Sequence, residues 1–223
     1  MRRYYEAYED RYKTIHAMGQ RWSGENPTPV VEDVIRRYGL SGAAMLEIGC
    51  GEGRDAIPLL RAGEDLLATD ASAEAVTFCR SRAPEFAEQF TVLDCLRDRH
   101  GRKYGFIYAV AVIHMLVEDQ DRRGFYRFLR DHLLPDGLAL ICTMGNGETE
   151  YASDVSEAFA LREREHPSGP VRVASTSCRM VSFPAFREEL TAADLRIAEE
   201  GIASSPPDFD SLMYALVCPS ADR

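Results

Sequence analysis

Three glycines at alternate positions follow directly on an apolar run in Met45-Leu46-Glu47-Ile48-Gly49-Cys50-Gly51-Glu52-Gly53-Arg54. Glycine lets the backbone turn sharply and leaves no Cβ between main chain and ligand. A strand that ends in such a turn lays bare backbone against a molecule of nucleotide type. Which molecule depends on the spacing. A dinucleotide fingerprint needs glycine at the first, third and sixth positions of the turn. Here Gly53 is the fifth residue and Arg54 the sixth. Glu52 beside the turn opposes a pyrophosphate. The pattern suits a ligand without phosphates that presents a cationic amine or sulfonium, and it speaks against a nicotinamide-dependent oxidoreductase.

Two carboxylates stand at the ends of the next apolar runs. Asp70, followed by Ala71, closes one of them. A carboxylate there accepts hydrogen bonds from both hydroxyls of a ribose, although it also suits a turn or a helix N-cap. Asp94 sits in Leu93-Asp94-Cys95. It can accept from an adenine amino group beside the Cys95 backbone, or act as a turn carboxylate.

Apolar runs that alternate with helical patterns must position these groups, which is the signature of an α/β parallel sheet. Strands are expected over 43–48, 65–69, 90–93, 106–112 and 138–143, with a closing pair over 196–202 and 212–218. Helices are expected over 55–62, 73–82 and 121–134. Ser72 caps the second of these, and Pro135-Asp136-Gly137 turns the chain after the third. Residues 1–40 hold two further helical segments, 4–18 and 29–38, joined by a loop that carries Trp22. Residues 145–181 form a long insertion after the fifth strand, and connections of that length are uncommon unless functional. The first region reads as a lid and the second as a substrate cap. Residues 41–144 form the ligand-binding core between them, and 182–223 a final helix and strand pair.

Glu47–Gly53, Asp70 and Leu93-Asp94-Cys95 along a βαβ run resemble the class I S-adenosylmethionine-dependent methyltransferases. Within them, Leu46–Arg54 is similar to the small tellurite-resistance and thiopurine-type enzymes. The resemblance implies a Rossmann-like, seven-stranded, mostly parallel sheet with helices on both faces and an antiparallel last strand. It implies S-adenosylmethionine as cofactor. The glycine turn, from Glu47 through Gly49, Cys50, Gly51 and Gly53 to Arg54, then holds the methionine part. Asp70 and Ala71 take the ribose, Asp94 and Cys95 the adenine, and Val110 adds to the wall.

Methyl transfer from a sulfonium needs an acceptor held in line and water kept out. The fourth strand ends Ala109-Val110-Ala111-Val112-Ile113-His114-Met115. It lacks the Asp or Asn, two prolines and aromatic that suit amide or nucleobase nitrogens. His114 is the one titratable group placed toward the methyl donor, either as a general base or as a wall residue. Tyr12 and the sole tryptophan, Trp22, are lid candidates, since an aromatic face attracts a sulfonium. Arg11 or Arg21 could clamp a carboxylate of the cofactor or of an acidic acceptor. The cap offers Met144, Tyr151 and Arg179, the last being the one expected to reach the acceptor. The charge run Arg162-Glu163-Arg164-Glu165 reads as a solvated helix face.

Composition bounds the partners. The 223 residues fit one domain. A formal net charge of −10 disfavours a nucleic-acid backbone as partner. No membrane span, secretory signal or metal-ligand spacing is visible, and the six cysteines contain no CxxC. The expectation is a cytoplasmic enzyme that methylates a small molecule through nitrogen, oxygen or a chalcogen. A protein or RNA acceptor is the alternative, and the oligomeric state stays open.

Overall fold

The structure, a computed structural model, describes residues 2–204 and 211–220. A short 3-10 turn, Tyr4–Glu6, leads into α1 (Ala7–Ala17), and α2 (Pro29–Tyr38) follows. Then come β1 (Met45–Ile48), α3 (Ala56–Arg61), β2 (Leu66–Asp70), α4 (Ala73–Arg82), β3 (Phe90–Val92), β4 (Tyr104–Val110), α5 (Asp119–His132) and β5 (Leu133–Met144). Four short strands come next: β6 (Tyr151–Ala152), β7 (Leu161–Arg164), β8 (Val171–Ala174) and β9 (Arg179–Met180). The described part closes with α6 (Phe183–Ala192), β10 (Leu195–Ala203) and β11 (Leu212–Pro219).

Seven strands form one sheet in the order β10-β11-β5-β4-β1-β2-β3. β1 pairs in parallel with β2 and with β4, and β11 runs antiparallel to both of its neighbours. The chain thus leaves β1 on one side and returns on the other. That reversal opens a crevice at the carboxyl ends of β1 and β4, where open α/β sheets bind ligands.

Local signals explain the elements. Pro29 opens α2 and Gly39 closes it at φ +63°, a conformation that glycine tolerates. Ser72 Oγ accepts from Ala75 N–H at the start of α4. Every residue of β1 is buried, as a central strand covered on both faces requires. Leu46 and Ile48 pack with Phe125, Phe128 and Leu129 of α5 on one face. Met45 packs with Val34, Ile57 and Val76 of α2, α3 and α4 on the other.

Three expectations change. The 4–18 segment begins as a 3-10 turn rather than an α-helix. Pro135-Asp136-Gly137 does not precede the fifth strand but bulges out of it, because Tyr104 pairs with Leu133 and Phe106 with Leu138. The 162–165 charge run is not a helix face. Its first three residues lie in β7, exposed and paired with β8 in a hairpin, so its alternation has the period of a strand.

One buried network ties α5 and α6 to the turn after β4. Arg122 is 2% exposed. Its Nη1 donates to the carbonyls of Ile113 (2.8 Å) and Leu116 (3.2 Å), and its Nε and Nη2 donate to Glu189 (2.8 and 2.6 Å). The Tyr126 hydroxyl joins Glu189 at 2.6 Å. Removing one partner strands a buried guanidinium. Glu189→Ala should lower stability by about 2–3 kcal/mol in urea unfolding. Glu200→Ala, at the exposed Arg187 pair, should change it by less than about 1 kcal/mol. Equal effects would show that the network adds no more than a surface ion pair.

Candidate active site

Two cavities of about 590 and 560 Å³ open at the carboxyl ends of the central strands. They share Tyr8, Tyr12, Gly49 and Met115, so they meet at the glycine turn beneath α1. The smaller is lined by Asp70, Ala71, Asp94 and Cys95. The larger is lined by Glu47, Cys50, Gly51, Arg54 and Val110 at one end. Trp22, His114, Met144 and Tyr151 stand around it, and the cap adds Arg164 and Thr176.

The turn itself is set by left-handed glycines. Gly49 (φ +73°) lies where a Cβ would sit 2.3 Å from the Val112 side chain, and Gly51 (φ +52°) where one would sit 2.8 Å from the Tyr12 hydroxyl. Gly53 (φ +79°) differs from expectation: it lines neither cavity. A Cβ there would press on Ile57 and Cys79, so this glycine seats α3 and α4 against the turn. Ala111 takes φ +57° where β4 ends, a strained conformation at the cavity wall.

Asp70 braces the turn. Its carboxylate accepts from Gly51 N–H and Ser72 N–H, each at 2.8 Å. Burial pushes its carboxyl up to about 6, and these two hydrogen bonds restrain the rise. Asp94 accepts from Leu96 N–H at 2.9 Å and from the Tyr5 hydroxyl at 3.0 Å. The 3-10 turn therefore reaches the same carboxylate that is expected to face an adenine, and a carboxylate has lone pairs left for a further donor.

Glu52 is held by the lid. It is 1% exposed and turned toward the N-terminal segment. It accepts from Trp22 N–H (2.8 Å), Ser23 N–H (2.7 Å) and Ser23 Oγ (2.8 Å), and His16 Nε2 lies 2.9 Å away. Asp55 does the same for α2, with Thr28 N–H at 2.5 Å and Thr28 Oγ1 at 3.0 Å. Glu9 of α1 returns the contact, accepting from Ser72 Oγ and Glu74 N–H. The turn thus shows its backbone to the cavity, and the carboxylates on the same wall are held by the lid.

Other expectations change as well. The Trp22 ring is faced by the Arg11 guanidinium at 4.4 Å, so its cation partner is an arginine already in the protein. Arg21 pairs with Glu25 rather than entering either cavity. Arg179 does not reach the acceptor side: it donates to Val117 O and Asp119 and lies 3.5 Å from Glu189, outside the cavity. His114 lines the larger cavity and is 3% exposed. Burial, with Arg122 and Arg11 adding to it, lowers its pKa to about 3. Tyr8 stood at helical spacing and Arg164 in the 162–165 charge run, while Thr176 had no distinguishing pattern; only the fold brings the three together. Among the described residues, no group of three or more His, Cys, Asp or Glu is placed to hold a metal. No helix among them is long and apolar enough to cross a membrane.

Residues 46–139 match the family model of a methyltransferase domain. Over that stretch the chain carries a methyltransferase domain. No curated protein sequence matches at a significant level. The fold is similar to that of the 1,6-didemethyltoxoflavin-N1-methyltransferase of Burkholderia thailandensis, solved with that compound and S-adenosylhomocysteine. The TM-score is 0.72 at 15% identity, covering 97% of this chain and 89% of that one. The CcbJ methyltransferase of Streptomyces caelestis gives 0.69 at 15% identity, covering 96% and 99%. The glycopeptide N-methyltransferase MtfA with S-adenosyl-L-methionine gives 0.64 at 19%, covering 89% and 95%. At these identities the likeness is one of fold.

The methyltransferase's cofactor is S-adenosylmethionine. Its site has a feature that suits a zwitterionic tail. Glu47 Oε2 and Arg54 Nε are buried and have no hydrogen-bond partner. One is an acceptor and the other a donor; both atoms are sealed, their residues line the same cavity, and Arg54 Nε lies 3.5 Å from Asp55 Oδ2. Burial holds the Glu47 carboxyl well above its ordinary range, and a cationic partner would favour its ionised form.

Two outcomes follow for the methyltransferase. Because Asp70 titrates higher folded than unfolded, it favours the folded state at low pH and loses that contribution as pH rises from about 4 to about 6. Hydroxyl donors prefer its ionised form. S-adenosylhomocysteine affinity should therefore fall on acidification below pH 6, on the order of tenfold per unit. Asp70→Asn should bind weakly with a flat profile in calorimetry, and an unchanged slope would remove Asp70 from the site. Glu52→Gln should loosen the Trp22 loop, seen as red-shifted tryptophan emission with S-adenosylhomocysteine affinity reduced about tenfold, or about 1.4 kcal/mol. Unaltered emission and affinity would show that Glu52 does not hold the loop.

Proposed function

We propose that the enzyme transfers a methyl group from S-adenosylmethionine to a small-molecule acceptor at nitrogen, oxygen or a chalcogen. The observation that carries this reading is the pair of cavities joined at residues 49–51. One takes the adenosine part, and the other has room for both the methionine tail and a small acceptor under the cap. The similar structure solved with 1,6-didemethyltoxoflavin supports an acceptor of that size.

In this reading Asp70 and Ala71 hold the ribose. Asp94 and Cys95 meet the adenine edge. Gly49, Cys50 and Gly51 offer bare backbone to the tail, whose ammonium falls to Glu47 and whose carboxylate falls to Arg54. Val110 closes the wall. When bound, S-adenosylmethionine supplies an electrophilic methyl group on a sulfonium. The protein's own part is to orient the acceptor and exclude water. Tyr8 and Tyr12 roof the junction, with Tyr12 over the turn. Met144 and Tyr151 bound the acceptor end, and Trp22 bounds it indirectly through Arg11. Burial favours the neutral form of His114, which in this reading stands as a hydrogen-bonding wall beside the methyl donor.

Methyl-labelled S-adenosylmethionine incubated with enzyme and a cell extract tests this, once products are separated by size. Label should appear in molecules below about 1 kDa, since a cavity of drug-like volume admits little more. Label confined to protein or RNA would overturn the small-molecule reading.

A further inference from the structure

A cation stands at the acceptor end of the larger cavity without an anion to answer it. Arg11 of α1 is 5% exposed. Its Nε donates to Ala174 O at 3.2 Å, and its Nη2 to Ala174 O (2.8 Å), Ser175 O (2.7 Å) and Thr176 Oγ1 (2.7 Å). Its guanidinium carbon lies 4.4 Å from the Trp22 ring and 5.0 Å from the Tyr8 ring. All of these partners are neutral. Among the described residues no carboxylate comes within 4.0 Å of it. Nη1 makes no hydrogen bond among them, yet it is not one of the sealed, partnerless atoms. With the rest of the side chain buried, its accessible surface belongs to the cavity that Arg11 lines.

The carboxylates on the same walls do not supply the missing charge. Glu52 and Asp55 are taken up by Trp22, Ser23, His16 and Thr28. Glu47 lies at the glycine turn, and Glu165 is exposed. A second guanidinium, Arg164 of β7, lines the same cavity and has only a 3.4 Å bond to Ser175 O. Burial lowers the Arg11 pKa, and the nearness of Arg164 adds to that fall. A buried cation without a counter-ion is costly, and a carboxylate matches the planar donor edge of a guanidinium.

We infer that the methyl acceptor is a small carboxylic acid, whose anionic group pairs with Arg11 Nη1 and with Arg164. The inference rests on the small-molecule reading above and adds the acceptor's charge. Arg11 and Arg164 are then specificity residues, which touch a part of the acceptor that does not react.

Calorimetry on enzyme saturated with S-adenosylhomocysteine tests it, using phenylacetate and its uncharged analogue phenylacetamide as probes. Phenylacetate should bind at least tenfold more tightly than the amide. In Arg164→Gln, an exposed position that spares the fold, that preference should shrink at least threefold while S-adenosylhomocysteine affinity moves less than twofold. Equal affinities, no detectable binding of either probe, or a preference that Arg164→Gln leaves untouched would each overturn the inference. Failure of S-adenosylhomocysteine itself to bind would instead strike at the methyltransferase reading on which it stands.

Discussion

Two carboxylates just past the end of β1 cannot stay buried unless something donates to them. Glu52 and Asp55 are 1% and 4% exposed, and the donors come from residues 16–28. Burying an ionised group without such partners costs several kcal/mol. The glycine turn and the N-terminal segment are therefore one structural unit. Closing the lid satisfies the acids, and the acids hold the loop in place. The reverse contacts, from Glu9 to Ser72 and Glu74 and from Tyr5 to Asp94, spread the same dependence along α1 and the 3-10 turn before it. Each strand end that shapes the adenosine cavity has a lid residue bound to it.

This arrangement divides the labour within the turn. Glycines at 49 and 51 remove side chains where backbone must face a ligand or where Val112 and Tyr12 come close. Glycine at 53 instead lets α3 and α4 close up behind the turn. The acids between and after them stand on the same wall with their oxygens bound to the lid. The result is a ligand wall of bare main chain whose position is fixed from the far side. Glu47 and Arg54 line the cavity as well, each with a sealed side-chain atom that makes no hydrogen bond. One is an acid and the other a base, a pair that a zwitterionic tail would match.

Much of the fold was legible because its signals are local. Pro29, Gly39 and Ser72 mark helix ends, and the alternation of apolar runs with helices marks the parallel sheet. The same holds for the turn at residues 49–53 and for Asp70 at the end of β2. What was not legible depends on distance. Arg11 meets Ala174 across 163 positions, and no spacing in the chain announces it. Trp22 was read as facing a sulfonium because nothing local reveals that Arg11 already faces its ring. Arg179 was assigned to the acceptor for its place at the insertion's end, but Asp119 and the Val117 carbonyl draw it to the outer surface. The cap's strands are two to four residues long and largely exposed, too short for periodicity to separate them from a polar helix. Gly53 and Glu52 sit inside the most readable motif, and even there the motif does not say which way each residue faces.

A crystal structure with S-adenosylhomocysteine tests the central claim most directly. The adenosine should lie between Asp70 and Asp94, and the amino-acid tail should run along residues 49–51 to end at Glu47 and Arg54, with the residue 21–23 loop still bound to Glu52. An empty turn, or a ligand that leaves Glu47 and Arg54 without partners, would contradict the account.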